Sequence, residues 1–244
     1  MKKIMIGLVS MMLLVGIAQA ADLSVDDVLK NVQSNQKKIK DMYAETTTVI
    51  TSNMTIPGSK DKGPQKMTQK GKMWTKGEDK SKVEIDEPIK QTTINNGDKM
   101  CIINETTGQK MVQDMKKLRK EKGIPEPSKE LSIEKAKEFF DLSLRKQGND
   151  YILTGIPKKA DRVLTKLEFI VATDKWVPVK VLMYGPQNKL VSQSTVDYQK
   201  ISDVWVPVKN KSSLTTPAGK MEMEMLFFNV KVNKGIGDGE FKIE

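Results

Sequence analysis

From Tyr151 to its end, the chain reads as short strands separated by turn residues, with no helical pattern between them. The separating segments include Pro-Lys-Lys, Gly-Pro-Gln-Asn and Thr-Pro-Ala-Gly, which favour tight reversals of the backbone. Strands that follow one another through turns alone pair antiparallel, because a parallel pair requires a long crossover connection. The sequence therefore predicts an antiparallel meander for this part of the chain.

The pentapeptide Trp-Val-Pro-Val-Lys occurs twice within this meander, at residues 176–180 and 205–209. Its offset of 29 residues corresponds to a strand, a turn, a returning strand and a second turn. The two copies are predicted to run in the same direction, with one strand between them. Because proline has no N–H to donate, we expect Pro178 and Pro207 near strand starts or where pairing is interrupted.

Side chains alternate between the two faces of a strand, so the valines of both copies are predicted to share one apolar face. Near the C-terminus, three alternating methionines and Phe227 form a similar stripe, and its phase then reverses, which predicts a bulge near residues 226–228. We interpret these residues as a candidate apolar ligand-binding face: Val177, Val179, Val181, Met183, Val204, Val206, Val208, Met221, Met223, Met225 and Phe227.

Both patterns have alternative interpretations. Trp176 and Trp205 are each expected to cover the end of the sheet, or to form a pair of aromatic platforms for a sugar. The methionine stripe is consistent with core packing, with a soft surface that accepts acyl chains, or with Cu(I) binding. Histidine is absent and Cys101 is the single cysteine, so we expect no metal site and no cofactor.

The N-terminal segment is typical of a cleaved signal peptide over residues 1–20, with Lys2 and Lys3 before an apolar run and Ala18-Gln19-Ala20 at the cleavage site. Residues 21–244 are expected to form a single domain of an exported, periplasmic protein. Ser24 is a favourable N-cap for a following amphipathic helix.

The middle of the chain interrupts the strand pattern with a charged stretch and two prolines at positions 125 and 127. A short helix is predicted after Ser132, with an apolar face formed by Ile133, Ala136, Phe139 and Phe140. Two interpretations remain open: ordinary helical cover for the sheet, or a lid over a cavity.

The composition disfavours several classes of function. Removing Lys2 and Lys3 lowers the net charge from +10 to +8, and lysine supplies most of the positive charge. Bidentate phosphate recognition favours arginine, so we expect no nucleic-acid partner, whereas a lysine-rich surface permits peripheral contact with anionic membranes. Without histidine the common nucleophilic pairs are missing, and we expect no enzymatic activity.

Taken together, three sequence segments resemble the LolA-like outer-membrane lipoprotein-sorting proteins. These segments are the helix-to-strand transition "KIKDMYAETTTVI", the two strand–turn units that contain "WVPVK", and the C-terminal "FFNVKVNKGIGDGEFKI". The resemblance extends over essentially the whole of residues 21–244.

The resemblance implies an α+β fold that is mainly antiparallel, with an open, strongly curved sheet whose concave face is covered by an N-terminal helix and short helices. It also implies a monomeric periplasmic carrier that shields the acyl chains of lipoproteins, or free lipid, in an apolar cavity. An inner-membrane exporter and an outer-membrane acceptor would be its partners. The alternative is a sensor or interaction module on the same fold that recognises a protein or glycan.

Overall fold

The computed structural model describes residues 23–53, 65–122, 133–159 and 164–243, and the expected signal peptide lies outside these residues. The helices are α1 (Val25–Lys37), α2 (Met115–Lys122) and α3 (Ile133–Phe139), with short 3-10 turns at Pro186–Asn188 and Asp238–Phe241. The strands are β1 (Asp41–Ser52), β2 (Gln65–Lys76), β3 (Lys80–Glu87), β4 (Gln91–Asn96), β5 (Lys99–Asn104), β6 (Gln109–Asp114), β7 (Phe140–Gln147), β8 (Asp150–Pro157), β9 (Lys166–Ala172), β10 (Val177–Gly185), β11 (Lys189–Ile201), β12 (Val204–Thr216) and β13 (Gly219–Val232).

All of these strands belong to one 13-stranded sheet with the order β6-β5-β4-β3-β2-β1-β13-β12-β11-β10-β9-β8-β7. Every pairing in it is antiparallel, and β6 and β7 are its two free edges, so the sheet is not closed. The single long-range pairing joins β1 to β13, the first strand to the last. The predicted open antiparallel sheet with an N-terminal helix is confirmed.

Helix α1 begins at a capping box, in which Ser24 Oγ accepts from the Asp27 N–H while the Asp27 carboxylate accepts from Ser24. This local signal explains why the helix starts at Val25, as predicted. Its apolar side packs against β8 and β9, where Val28 is completely buried with Tyr151 and Val171. None of the helices in the described ranges is long and apolar enough to cross a membrane.

The side chains of Asn233 and Asp41 form hydrogen bonds that link the end of β13 to the start of β1. Asn233 adopts a left-handed φ of 55°, and its side-chain oxygen accepts from the Lys40 N–H at 2.7 Å. The Asp41 carboxylate accepts from the backbone N–H groups of Lys234 and Gly235 at 2.8 and 3.1 Å. From these hydrogen bonds the C-terminal tail, residues 233–243, runs across β3 and β4, where Phe241 is buried.

The two pentapeptide copies form matching bulges. Strand β11 lies between β10 and β12, as predicted. In the first copy the register with β9 shifts between Pro178 and Lys180, so Val179 is the extra residue. In the second copy the register with β11 shifts by one residue between Pro207 and Lys209. The prediction that the prolines mark interrupted pairing is confirmed.

The middle of the chain differs from the prediction. Helix α3 ends at Phe139, whereas Phe140 is the first residue of strand β7, which was not predicted. The alternation of Phe140, Leu142 and Leu144 fits a strand of period two, and Gly148 with a φ of 61° turns it back into β8. The placement of Phe140 on the helix was therefore wrong.

Candidate functional site

The strand register defines the two faces of the sheet. One row of directly opposed residues runs across nine strands, from β2 to β7 in sheet order. It consists of Met67, Ile50, Met223, Ser212, Ser194, Val181, Phe169, Leu153 and Leu144. Leu144 packs on the cluster of Val28, so this row lies on the side that α1 covers, and we call that side the helix face.

The methionine stripe of β13 lies on the helix face. Opposite it on β1 stand Thr46, Thr48, Ile50 and Ser52, which pair with Phe227, Met225, Met223 and Met221. All four stripe residues are only partly buried, and Met67 on β2 is 40% exposed. This part of the helix face therefore presents flexible, partly accessible apolar side chains.

A second apolar region on the helix face lies on β9 and β10, where Val181 and Met183 stand opposite Phe169 and Leu167. Between the two apolar regions runs a polar strip on β11 and β12. It consists of Ser192, Ser194, Asn210 and Ser212, and the Ser194 hydroxyl lies 3.1 Å from Asn210 Oδ1. Hydroxyl and amide groups, paired in part with Leu214 and Val196, thus separate the methionine stripe from the apolar region on β9 and β10. They could not be predicted from the sequence, because these side chains acquire a common face only through pairing.

The valines of the pentapeptides do not all share one face, contrary to the prediction. Val177 pairs with Ala172 of β9, whereas Val181 pairs with Phe169 of β9. Ala172 and Phe169 are three residues apart on a strand without a bulge, so they lie on opposite faces of the sheet. Val177 and Val181 therefore also point to opposite faces. The bulge at Val179 causes this change of phase.

In the second copy, Val208 occupies the corresponding bulge. Val204 and Val206 are buried with Met42 and Val232, in a cluster that fills the region where β12 and β13 diverge. Helix α1 supports this divergence, because the side chain of Asn35 accepts from the Trp205 N–H at 3.4 Å and donates to the Trp205 carbonyl at 3.3 Å. The side-chain amide of Asn35 thus makes the two hydrogen bonds to the Trp205 backbone that a neighbouring strand would otherwise make.

The predicted bulge in β13 is confirmed one residue beyond its expected place. Glu45 pairs with Phe228 and Tyr43 with Lys231, so β13 contains one extra residue there. Asn229 within it has a φ of 49°.

On the face of the sheet opposite the helix face, β12 and β13 carry charged side chains. The Glu224 carboxylate lies 3.3 Å from Lys209 Nζ and 3.2 Å from Lys211 Nζ. The hydrogen bond from Lys211 is the main cause that lowers the pKa of Glu224. A groove of about 710 Å³ on this side is lined mainly by such charged and hydroxyl residues. The contrast between the two faces identifies the helix face as the candidate apolar site.

A cleft of about 410 Å³ lies where α1, α3 and β7 meet. Its lining includes the apolar side chains of Val25, Phe140 and Leu142. Charged residues also line it: Asp26 forms an ion pair with Lys137 of α3, and Asp141 lies 3.9 Å from Lys158.

Helix α3 contacts both α1 and β7, and Phe139 at its end is 50% exposed. Ala136 is half-buried, and the backbone of Ile133 begins the helix. Helix α3 therefore lies beside α1 at the β7 edge of the sheet.

The two tryptophans are not equivalent. Trp176 has a left-handed φ of 53° and stacks on Tyr151 with a centroid distance of 6.3 Å, within the cluster that α1 covers. Trp205 lies in β12, with Lys175 Nζ 5.2 Å from its ring centroid. These contacts favour the structural interpretation of the tryptophans over a pair of open sugar platforms.

Cys101 is a free thiol that is completely buried with Ile94 and Phe241. In the part of the chain that the structure describes, no group of three or more histidine, cysteine or acidic side chains is arranged to hold a metal ion.

No family model matches the sequence, and no curated protein matches it. Solved structures do share the fold. A DUF1329 family protein from Desulfovibrio piger aligns with a TM-score of 0.60 at 15% identity, covering 89% of this chain and 97% of that chain. An outer-membrane lipoprotein-sorting protein domain from Vibrio parahaemolyticus aligns with a TM-score of 0.57 at 14% identity, covering 90% and 97%.

A LolA superfamily protein from Nitrosomonas europaea aligns with a TM-score of 0.56 at 12% identity, covering 91% of this chain and 98% of that chain. The fold is therefore LolA-like, with a sequence that diverges strongly from these structures. The predicted resemblance is confirmed at the level of the fold.

Proposed function

We propose that the protein is a periplasmic carrier that holds the acyl chains of lipoproteins, or of other lipids, against the helix face. The observation that carries this proposal is the pair of partly buried apolar regions on the helix face, one formed by Met221, Met223, Met225 and Phe227 and the other by Val181 and Met183. Covering such a surface with an acyl chain contributes about 0.8 kcal/mol for each CH2 group removed from water.

The arrangement of the face fits a ligand with more than one part. Acyl chains would lie along the two apolar regions, and the serines and Asn210 between them would meet a polar linkage such as an ester. Helix α3 would act as a lid, since Phe139 and Phe140 are placed between α1 and the edge of the sheet.

As a carrier between membranes, the protein would act as a non-enzymatic monomer. It would take its cargo from an inner-membrane exporter and deliver it to an outer-membrane acceptor, as suggested by the lipoprotein-sorting structure with the same fold. Release requires the lid to move or the acceptor to offer a better apolar surface.

Binding of a fluorescent fatty acid to the purified protein tests the proposal. The substitution Met223→Asp places a carboxylate in the centre of the apolar face, and we expect it to weaken binding at least about tenfold, because the charge would lose its hydration under the acyl chain. The matched control is Thr195→Asp, which adds a carboxylate to the opposite face, between Lys180 and Lys211 in the register.

We expect the control variant to bind like the unmodified protein. Absence of uptake by the unmodified protein, or equal weakening by both substitutions, would contradict an acyl-binding role for the helix face.

A further inference from the structure

The free edge of the sheet at β6 combines exposed apolar side chains with a run of basic residues. Met111 and Val112 are 47% and 51% exposed, and they point to opposite sides of this edge strand. Helix α2 follows directly, and its eight residues contain five basic residues and one acidic residue. We call the segment 109–122 the basic edge.

The basic edge is held in a defined position. The Met115 N–H donates to the Asp98 carbonyl at 2.7 Å, and the Lys117 N–H donates to Asp114 Oδ1 at 2.9 Å, which caps the first turn of α2. Met115 and Leu118 are partly buried, whereas Lys116 and Lys117 are exposed. The helix therefore directs its apolar side inward and these lysines outward.

We infer that the basic edge docks the protein on an anionic phospholipid surface. A cluster of four to eight basic residues beside exposed apolar side chains is the combination that binds such a surface, because charge attraction and shallow apolar insertion add together. The basic edge contains Lys110, Lys116, Lys117, Arg119, Lys120 and Lys122, with Asp114 and Glu121 as its acidic residues.

Charge favours this occupant over an added strand from another protein. A strand that pairs with β6 would form backbone hydrogen bonds and would need no lysines, whereas a membrane that contains phosphatidylglycerol presents negative charges to exposed lysines such as Lys110, Lys116 and Lys117. Strand β6 is also at the opposite end of the sheet order from β7, which lies beside the α1–α3 cleft.

Sedimentation with lipid vesicles tests the inference, using equal parts of phosphatidylglycerol and phosphatidylcholine, and phosphatidylcholine alone. We expect binding to the first vesicles only, and weakening of that binding as salt is added, since salt screens exposed charges. The double variant Lys116→Glu/Lys117→Glu is expected to bind at least about tenfold more weakly.

The matched control is Lys189→Glu/Lys200→Glu, two exposed lysines on β11, which changes the net charge by the same amount. We expect it to retain binding within about twofold of the unmodified protein. If the Glu variant of the basic edge does not fold, Lys116→Ala/Lys117→Ala replaces it.

Three results would overturn the inference: no binding to the anionic vesicles, undiminished binding by the basic-edge variant, or equal loss in both double variants. The assay contains no cargo, and neither double variant changes a residue of the proposed acyl-binding regions. Its failure would therefore leave the carrier proposal standing, and a failure of fatty-acid uptake would leave this inference standing.

Discussion

The two ends of the sheet are covered on opposite faces. At the β7–β10 end, α1 packs on the helix face through Val28, Tyr151 and Val171. At the β2–β5 end, the C-terminal tail covers the other face, where Phe241 packs on Ile94 and Cys101. The difference shows how one continuous sheet forms a core at each end while the methionine stripe between them stays only partly buried.

The first prediction concerns whether these two cores unfold together. Phe241→Ala is expected to lower the free energy of unfolding by about 3–5 kcal/mol, because it leaves a cavity under the tail. Val28→Ala is expected to cost about 2 kcal/mol at the other end. Urea unfolding followed by circular dichroism should give one transition for each variant, with Phe241→Leu as the milder control. Two separate transitions would show that the ends are independent units.

The second prediction tests the attachment of α1 to β12. Asn35→Ala leaves the Trp205 N–H and carbonyl without their side-chain partner, and we expect a loss of about 1–3 kcal/mol in the free energy of unfolding. Ser34→Ala, at an exposed position of the same helix, is the control and should change little. Equal stability of the two variants would contradict the bridging role of Asn35.

The third prediction concerns a side-chain hydrogen bond from β11 to β10. The Tyr198 hydroxyl donates to the Pro178 carbonyl at 3.1 Å, so Tyr198→Phe should cost about 1 kcal/mol near neutral pH. Burial raises the pKa of Tyr198 from 10.0 to about 12. The stability of the unmodified protein should therefore be complete below pH 10 and fall as the pH rises towards 12.

Tyr198→Phe has no hydroxyl to ionise, so its free energy of unfolding should lack the part of the decrease between pH 10 and 12 that Tyr198 causes. Unfolding measured at a series of pH values checks this. Identical alkaline profiles for the two proteins would show that Tyr198 ionises equally in the folded and unfolded states.

The smallest effect on stability is expected from Asp238, in the C-terminal tail, at acid pH. Hydrogen bonds from Lys80 and Lys76 lower the pKa of Asp238 from 3.8 to about 2. The stabilisation that this carboxylate provides is present above pH 3.8 and is lost as the pH falls towards 2. Asp238→Asn should reduce this acid dependence slightly at low salt and not at high salt, because the group is exposed. A reduction that persists at high salt would require another cause.

Local features of the fold could be predicted from the sequence. Ser24 and Asp27 specify the start of α1 through contacts within one turn. Pro178 and Pro207 mark the bulges because each removes a donor from the sheet. Alternation also predicted the methionine stripe, whose residues share the helix face as expected.

Features that depend on distant residues could not be predicted. The bulge at Val179 reverses the faces of the valines, and only the register with β9 shows this. Asn35 contacts a strand 170 residues later, and the polar strip appears only when β11 pairs with β12. Strand β7 was missed because its apolar alternation follows directly on a helix.

Photo-crosslinking with a fatty acid that carries a diazirine near the end of its chain tests the central claim most directly. After irradiation, peptide mass spectrometry locates the attached label. We expect labels on β13 and β10, at Met221, Met223, Met225, Val181 or Met183, and their loss in Met223→Asp but not in Thr195→Asp. Labels confined to the opposite face, around Lys211 and Glu224, would contradict the account.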